Sequence, residues 1–224
     1  MYITISDQDS EYNCPRQLSE RAKDLPETRL KPNAHLFHEG DRVERIYQVI
    51  SGAVSLTRLL EDGRRQIIAF GFPGDIVGFP CDGRHHTDCV ALNDVRLQPY
   101  RLSQLASGRV HSKLGAGLLQ AALHEIAAMQ DHFMMLGRKS ATEKVAAFLT
   151  VLKRRTGTPA GQYTQISLPM SRADIADFLG LTTETVSRTI SQFRKSRLIA
   201  LDGAQTVIIL REDALKALAE EGTP

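Results

Sequence analysis

The stretch SRADIADFLGLTTETVSRTISQFRKSRLI, residues 171–199, decides the fold. Ser171 is placed to cap a helix whose first turn carries Asp174, where a carboxylate meets the positive end of the helix dipole. Ile175, Ala176 and Leu179 form the apolar side of that helix. Gly180 lets the chain leave it in a left-handed conformation, and Thr182 caps a second helix with Val186, Ile190 and Phe193 on its inner face. Ala176, Gly180 and Val186 are the small crossing residue, the turn glycine and the branched filler that a helix-turn-helix requires. The segment LIALDGAQTVIIL (198–210) then reads as a hairpin turning at Asp202-Gly203, which fits a winged variant.

The outer face of the second helix is polar and mostly short: Thr183, Glu184, Ser187, Arg188 and Ser191. In a helix-turn-helix such side chains meet base edges in the major groove of double-stranded DNA. Arg188 can donate two bonds to guanine O6 and N7, and Glu184 can accept from cytosine N4. Thr185, and Ser171 and Arg172 at the start of the first helix, complete the expected DNA-contacting set. The alternative is an i,i+4 surface pair between Glu184 and Arg188, worth only about 0.2–0.5 kcal/mol.

Charge supports an interface with a polyanion. Residues 1–137 hold 15 Lys+Arg against 17 Asp+Glu, whereas residues 138–224 hold 13 against 9. Arg188, Arg194, Lys195 and Arg197 fall between Thr185 and Leu201 with no acid among them. The chain has 42% hydrophobic and 24% charged residues, a composition that can bury a core. No run approaches the length of a membrane span, and the N-terminus has no apolar stretch of a secretory signal, so a cytoplasmic protein is expected. No nucleophile–base constellation points to an enzyme.

Upstream, Ala34 to Leu102 alternates short apolar runs (RIYQVI, AVSLTRLL, QIIAFGF, VRLQPYRL) with glycine-bearing turns, the pattern of a compact β-sandwich or barrel. Residues 109–136 change period. Leu119, Ile126 and Phe133 recur every seven residues, with Ala122, Met129 and Leu136 three further on. This is either a core helix packed on its own β domain or an a/d seam, which a symmetric homodimer satisfies most simply. SATEKVAAFLTVLKRR (140–155) reads as a helix ended by TGTPAG, and QISLPM (165–170) as a strand.

Together these segments resemble the CRP/FNR family of bacterial transcription regulators over nearly the whole chain. The likeness is carried by ETVSR (184–188), LGRKSATEKVAAFL (136–149), HEGD (38–41), SGAVSL (51–56) and PGDIVG (73–78). It implies an α+β chain in three parts: a tail and β-roll sensor-like jelly roll over 1–108, a dimerisation helix over 109–137, and a winged helix-turn-helix over 138–224. It further implies a homodimer on a palindromic site, with glutamate, serine and arginine at the spacing of Glu184, Ser187 and Arg188 reading TTGA-type half-sites. Thr183 stands where the cyclic-AMP branch has arginine, which argues against GTGA-type recognition. RNA polymerase is the implied protein partner, through LLEDGRRQ (59–66), with Glu61, Asp62 and Arg64, and RRTGTPAGQ (154–162); a solvated turn is the competing reading of both.

The sensor segment GDIVGFPCDGRHHTDCVAL departs from the family's ligand sites. Asp75 replaces the glutamate that grips ribose, and His86-Thr87 replaces the Arg-Ser/Thr that holds phosphate; Arg84 is the remaining cation nearby. Cys14, Cys81 and Cys89 are too few for the four thiolates of an iron–sulfur cluster. Cys81, His85, His86 and Cys89 fit no standard zinc spacing, and a loop with incidental thiols is the expectation there. No cofactor and no metal are therefore expected. The resemblance narrows to the FixK-like subgroup, which implies an activator working without an effector in nitrogen-fixing or microaerobic metabolism; an effector-dependent regulator and a repressor are the alternatives.

Overall fold

The computed structural model describes residues 25–103, 122–123, 126–127, 129–130 and 132–220. Cys14 and Leu119 lie outside them. The chain divides into two compact units, 1–128 and 129–224.

Among the described residues the first unit has eight strands: β1 (Thr28–Leu30), β2 (His35–Phe37), β3 (Arg45–Ser51), β4 (Val54–Leu59), β5 (Arg65–Gly71), β6 (Ile76–Val77), β7 (Asp88–Ala91) and β8 (Val95–Arg101). They form two antiparallel four-stranded sheets, ordered β1-β8-β3-β6 and β2-β7-β4-β5. Both sheets feed one core, in which Phe37, Leu56, Cys89 and Ala91 of one sheet cluster with Val49, Val77, Val95 and Leu97 of the other. Apolar faces closing on each other in this way make the jelly roll. The four longest apolar runs each became a strand as expected. One segment differs: the stretch from Cys81 to Cys89, expected as a loop, runs at its end into β7. Its alternation places Cys89 in the core, where burial pushes the thiol well above its ordinary value, while Cys81 is exposed. The two thiols therefore cannot share a site.

The second unit opens with a helical stretch over 132–138 and continues with α1 (Ala141–Thr156), β9 (Thr158–Ala160), β10 (Tyr163–Ser167), α2 (Arg172–Leu179), α3 (Thr183–Lys195), β11 (Ile199–Asp202), β12 (Thr206–Ile209) and α4 (Glu212–Glu220). A reciprocal capping box between Ser140 and Glu143 starts α1, and Val145, Phe148, Leu149 and Leu152 bury its inner face. The sheet runs β11-β12-β10-β9. Two elements extend the expected pattern. TGTPAG, read as a terminating loop, supplies β9, which pairs with β10 around Gly161. The chain after the wing forms α4, which is held to α1 through a Lys153–Glu212 ion pair and to Lys139, whose Nζ donates to the Ala219 carbonyl at 2.5 Å.

Gly52 illustrates how tightly the roll closes. Its φ is +85°, and an added Cβ would stand 2.4 Å from the Asp94 carbonyl oxygen. Gly63 has a similar φ of +79° but opens on empty space. Gly63→Ala is expected to cost about 1–2 kcal/mol, from backbone strain alone. Gly52→Ala should cost at least twice as much, because the β8 approach must also move. Urea denaturation of the two variants, followed by circular dichroism, measures the difference.

Candidate nucleic-acid interface

The helix pair α2–α3 is assembled from local interactions. At the start of α2 the Asp174 N–H donates to Ser171 Oγ (3.1 Å), and Asp174 Oδ2 accepts from both the Ser171 N–H (2.9 Å) and its hydroxyl (2.7 Å). Gly180 ends α2 at φ 62° and ψ 41°, with its own N–H and that of Leu181 donating to the Ala176 carbonyl. Thr182 then caps α3 by accepting from the Thr185 N–H at 3.1 Å. Val186, Ile190 and Phe193 are buried as the spacing predicts. So is Phe178, which the helical pattern of α2 passed over and which stacks on His132 (4.3 Å) and meets Phe148 at a 59° tilt (6.0 Å).

With that face buried, the opposite face of α3 is left to solvent. Thr183, Glu184, Ser187 and Arg188 are exposed, and Ser191 is half-buried. Glu184, Ser187, Arg188, Ser191, Gln192 and Lys195 border one shallow depression along the helix. Gln192 and Lys195 were not singled out as contacts, although they continue the same i,i+3/i+4 stripe. In the protein alone Arg188 Nη2 pairs with Glu184 Oε1, the two side chains remaining 78% and 70% exposed. Ser171 and Thr185 differ from the rest of the expected set: both hydroxyls are engaged in helix caps, Thr185 Oγ1 lying 2.8 Å from Thr182 Oγ1. Arg172 is half-buried; desolvation lowers its pKa, but a guanidinium stays charged throughout the accessible range.

The remaining expected residues lie elsewhere. Glu61, Asp62 and Arg64 occupy the β4–β5 turn, where the Arg64 N–H donates to Asp62 Oδ1 at 3.0 Å and Arg64 Nε to Asp62 Oδ2 at 2.7 Å, and these hydrogen bonds lower the Asp62 pKa. Ile126 is 55% exposed in the first unit; Met129 and Phe133 are 49% and 76% exposed in the second. Ala122 is half-buried, and so is Leu136, whose Cδ2 is 3.8 Å from where a Cβ on Gly180 would stand.

A capped helix pair crossing at a left-handed glycine, a wing, and a solvent-facing polar helix define a winged helix-turn-helix DNA-binding regulator. Residues 143–218 match the Crp-like helix-turn-helix domain, and residues 27–107 match the cyclic nucleotide-binding domain. The chain is 40% identical over 188 residues to the nitrogen fixation regulation protein FixK of Rhizobium meliloti, covering 84% of each chain. It is 38% identical over 192 residues to the transcriptional activatory protein AadR of Rhodopseudomonas palustris, covering 84% of this chain and 80% of that one. The structure of FixK2 from Bradyrhizobium japonicum superimposes with a TM-score of 0.80 at 36% identity, covering 86% of this chain and 96% of that one. The chain belongs to the CRP/FNR family, in its FixK-like branch. It is a DNA-binding transcription regulator and not an enzyme.

His132 ties the support of α2 to pH. Its Nδ1 is buried without a hydrogen-bond partner among the described residues. Burial lowers the imidazole from 6.5 to about 4, an effect opposed by a backbone hydrogen bond at Phe178 and reinforced by the Lys144 ammonium. Below 6.5 the unfolded chain takes up a proton that the folded chain refuses until about 4. Stability therefore falls as pH drops through that window, by up to about 1.4 kcal/mol per pH unit. His132→Phe keeps the stack and should remove this part of the slope. Urea denaturation of both proteins at pH 7 and pH 5 checks it; equal slopes would mean His132 titrates freely.

Proposed function

We propose that this chain is a transcription activator. It binds double-stranded DNA as a homodimer on a palindromic TTGA-N-TCAA-type site, using α3 and no bound effector. The observation that carries this reading is the α3 stripe itself: Glu184, Ser187 and Arg188 stand exposed at the spacing that reads TTGA, on a helix capped and aimed by Thr182 and Gly180. Direct contacts are assigned to Thr183, Glu184, Ser187, Arg188 and Ser191. Arg172, and the backbone around Ser171 and Thr185, serve the phosphates.

Independence from an effector is supported by internal commitments in the roll. The Asp75 carboxylate is 1% exposed and accepts from the Phe72 N–H at 2.8 Å, closing its own turn. Arg84 donates to the Gly40 carbonyl (2.7 Å), and His86 Nε2 lies 3.0 Å from Arg58 Nη1. The groups at the family's ribose and phosphate positions are thus engaged by the protein. Residues 1–108 act as the roll, 109–137 as the dimerisation helix and 138–224 as the DNA-binding part. The β4–β5 turn with Glu61, Asp62 and Arg64 faces RNA polymerase. Among the described residues no helix is long and apolar enough to cross a membrane, in keeping with a cytoplasmic regulator. The relatives named for nitrogen fixation regulation support a role in nitrogen-fixing or microaerobic metabolism.

Fluorescence anisotropy with a TTGAT-N4-ATCAA duplex, a GTGA-type duplex and a scrambled duplex tests the reading, at one salt concentration, with and without cyclic AMP. Selective binding to the first duplex without nucleotide is expected. Arg188→Ala should lose about 1–3 kcal/mol on that duplex and little on the scrambled one. An equal loss on both would make Arg188 a phosphate contact.

The exposure of Ile126, Met129 and Phe133 at heptad spacing supports the homodimer. Ile126→Asp is expected to sediment as a monomer and to bind the palindrome poorly. A variant that still sediments as a dimer would remove the seam from the interface.

A further inference from the structure

We propose that the outer face of the β-roll carries a binding site for a divalent first-row transition-metal ion, formed by His35, His38 and Asp88. One donor atom from each of the three lies within 4.8 Å of the other two. None of them belongs to the DNA-reading surface or to the helical seam; Asp88 lies within the Cys81–Cys89 segment considered from sequence alone, but His35 and His38 do not. The site departs from the expectation that the chain holds no metal, because it depends on a strand irregularity that spacing does not reveal.

That irregularity is a bulge. β2 pairs with β7 so that Phe37 faces Cys89 and His35 faces Val90, with a register shift between His35 and Phe37. In a regular strand His35 and Phe37 would share a face, and Phe37 is buried in the core. The extra residue turns His35 to the opposite, exposed side. Asp88 alternates with the core residue Cys89 and so stands on that same outer side. His38 follows β2 directly and stacks on His35 with ring centroids 4.3 Å apart.

One donor pair already has the spacing of a metal polyhedron, and the stacked His35 and His38 rings turn from their 26° interplanar angle to bring their in-plane lone pairs onto one ion. His38 Nδ1 is 3.6 Å from Asp88 Oδ1, too long for a hydrogen bond. It is near the ~3.3 Å ligand–ligand edge of a tetrahedral zinc site with bonds of about 2.0–2.1 Å. A triangle with all edges at the 4.8 Å limit needs each donor to move inward by about 0.9 Å to reach the ~3.3 Å edges of that polyhedron. Two imidazoles and one carboxylate suit zinc, cobalt or nickel better than the oxygen-seeking calcium or magnesium. Three protein ligands leave a position for water.

The ligands are also held from behind. Asp88 Oδ1 accepts from the Glu39 N–H at 2.7 Å, and the His38 N–H donates to Asp41 Oδ2 at 2.9 Å. Glu39 is in turn fixed by Arg58, with Nε 3.0 Å from Oε1. Such outer contacts orient ligands before the metal arrives. Asp88 and His38 are 27% and 58% exposed, so an ion has a path in.

Zinc titration of the untagged, chelator-treated full chain by calorimetry tests the site, together with the absorption spectrum of the cobalt form. About one zinc per chain is expected. The cobalt spectrum should show visible ligand-field bands without thiolate-to-metal charge transfer. His35→Ala and Asp88→Asn should each weaken binding at least tenfold while keeping the far-ultraviolet circular dichroism of the parent. His86→Ala and Cys81→Ser should bind as the parent does. A thiolate band, a loss on Cys81→Ser, or equal zinc uptake by the parent and a folded His35→Ala variant would each overturn the proposal. The measurement uses no DNA, so its failure and that of the DNA-binding reading are separate.

Discussion

The second unit depends on one backbone conformation, the left-handed Gly180 between α2 and α3. A residue with a Cβ pays a penalty of about 1–2 kcal/mol there, and only one residue separates the turn from the Thr182 cap. The glycine fixes where α3 begins and therefore which of its faces meets α2. Once Val186, Ile190 and Phe193 turn inward, the 3.6-residue period leaves Glu184, Ser187 and Arg188 no position except solvent. The reading face is thus a consequence of the turn and the core together. The caps at Ser171 and Thr182, each worth about 1 kcal/mol, set the ends of the two helices and keep that consequence sharp.

The same logic bears on what the roll can hold. A shared jelly-roll frame, matched by the cyclic nucleotide-binding domain over residues 27–107, says how the strands are arranged. It does not say what fills the site. Here the polar groups near the family's ligand position bond within the protein: Asp75 to its own turn, Arg84 to Gly40, His86 to Arg58. A ligand phosphate would have to displace those bonds before gaining any of its own.

Legibility in the sequence followed the strength of the local signal. Helix caps, the turn glycine and the apolar spacing of α3 are encoded within a few residues, and the structure places them where the pattern does. The long strands were legible for the same reason. β9 is three residues of Thr-Pro-Ala, and α4 follows the wing with an unremarkable acidic start; both exist because neighbours pair with them or pack on them. Phe178 was passed over because a fifth apolar residue in an eight-residue helix adds nothing to a periodicity already satisfied. The β2 bulge was invisible because a register shift belongs to two strands at once, and with it went the meeting of His35 with Asp88. Likewise Thr185 carries a hydroxyl suited to DNA, and its engagement with the Thr182 cap does not show in the spacing, whereas the Ser171 cap does.

The Glu184–Arg188 pair reconciles the two readings that its spacing left open. It does form in the protein alone, and it is a surface pair: both side chains are more than two-thirds exposed. An exposed i,i+4 pair is worth about 0.2–0.5 kcal/mol. A bidentate arginine–guanine contact discriminates by about 1–3 kcal/mol. The smaller interaction cannot hold Arg188 back from the larger one. It holds the guanidinium beside Glu184 on the helix face, so less conformational freedom would be lost were a base edge to replace the carboxylate. On the proposed reading, the surface pair and the base contact are successive partners of one side chain.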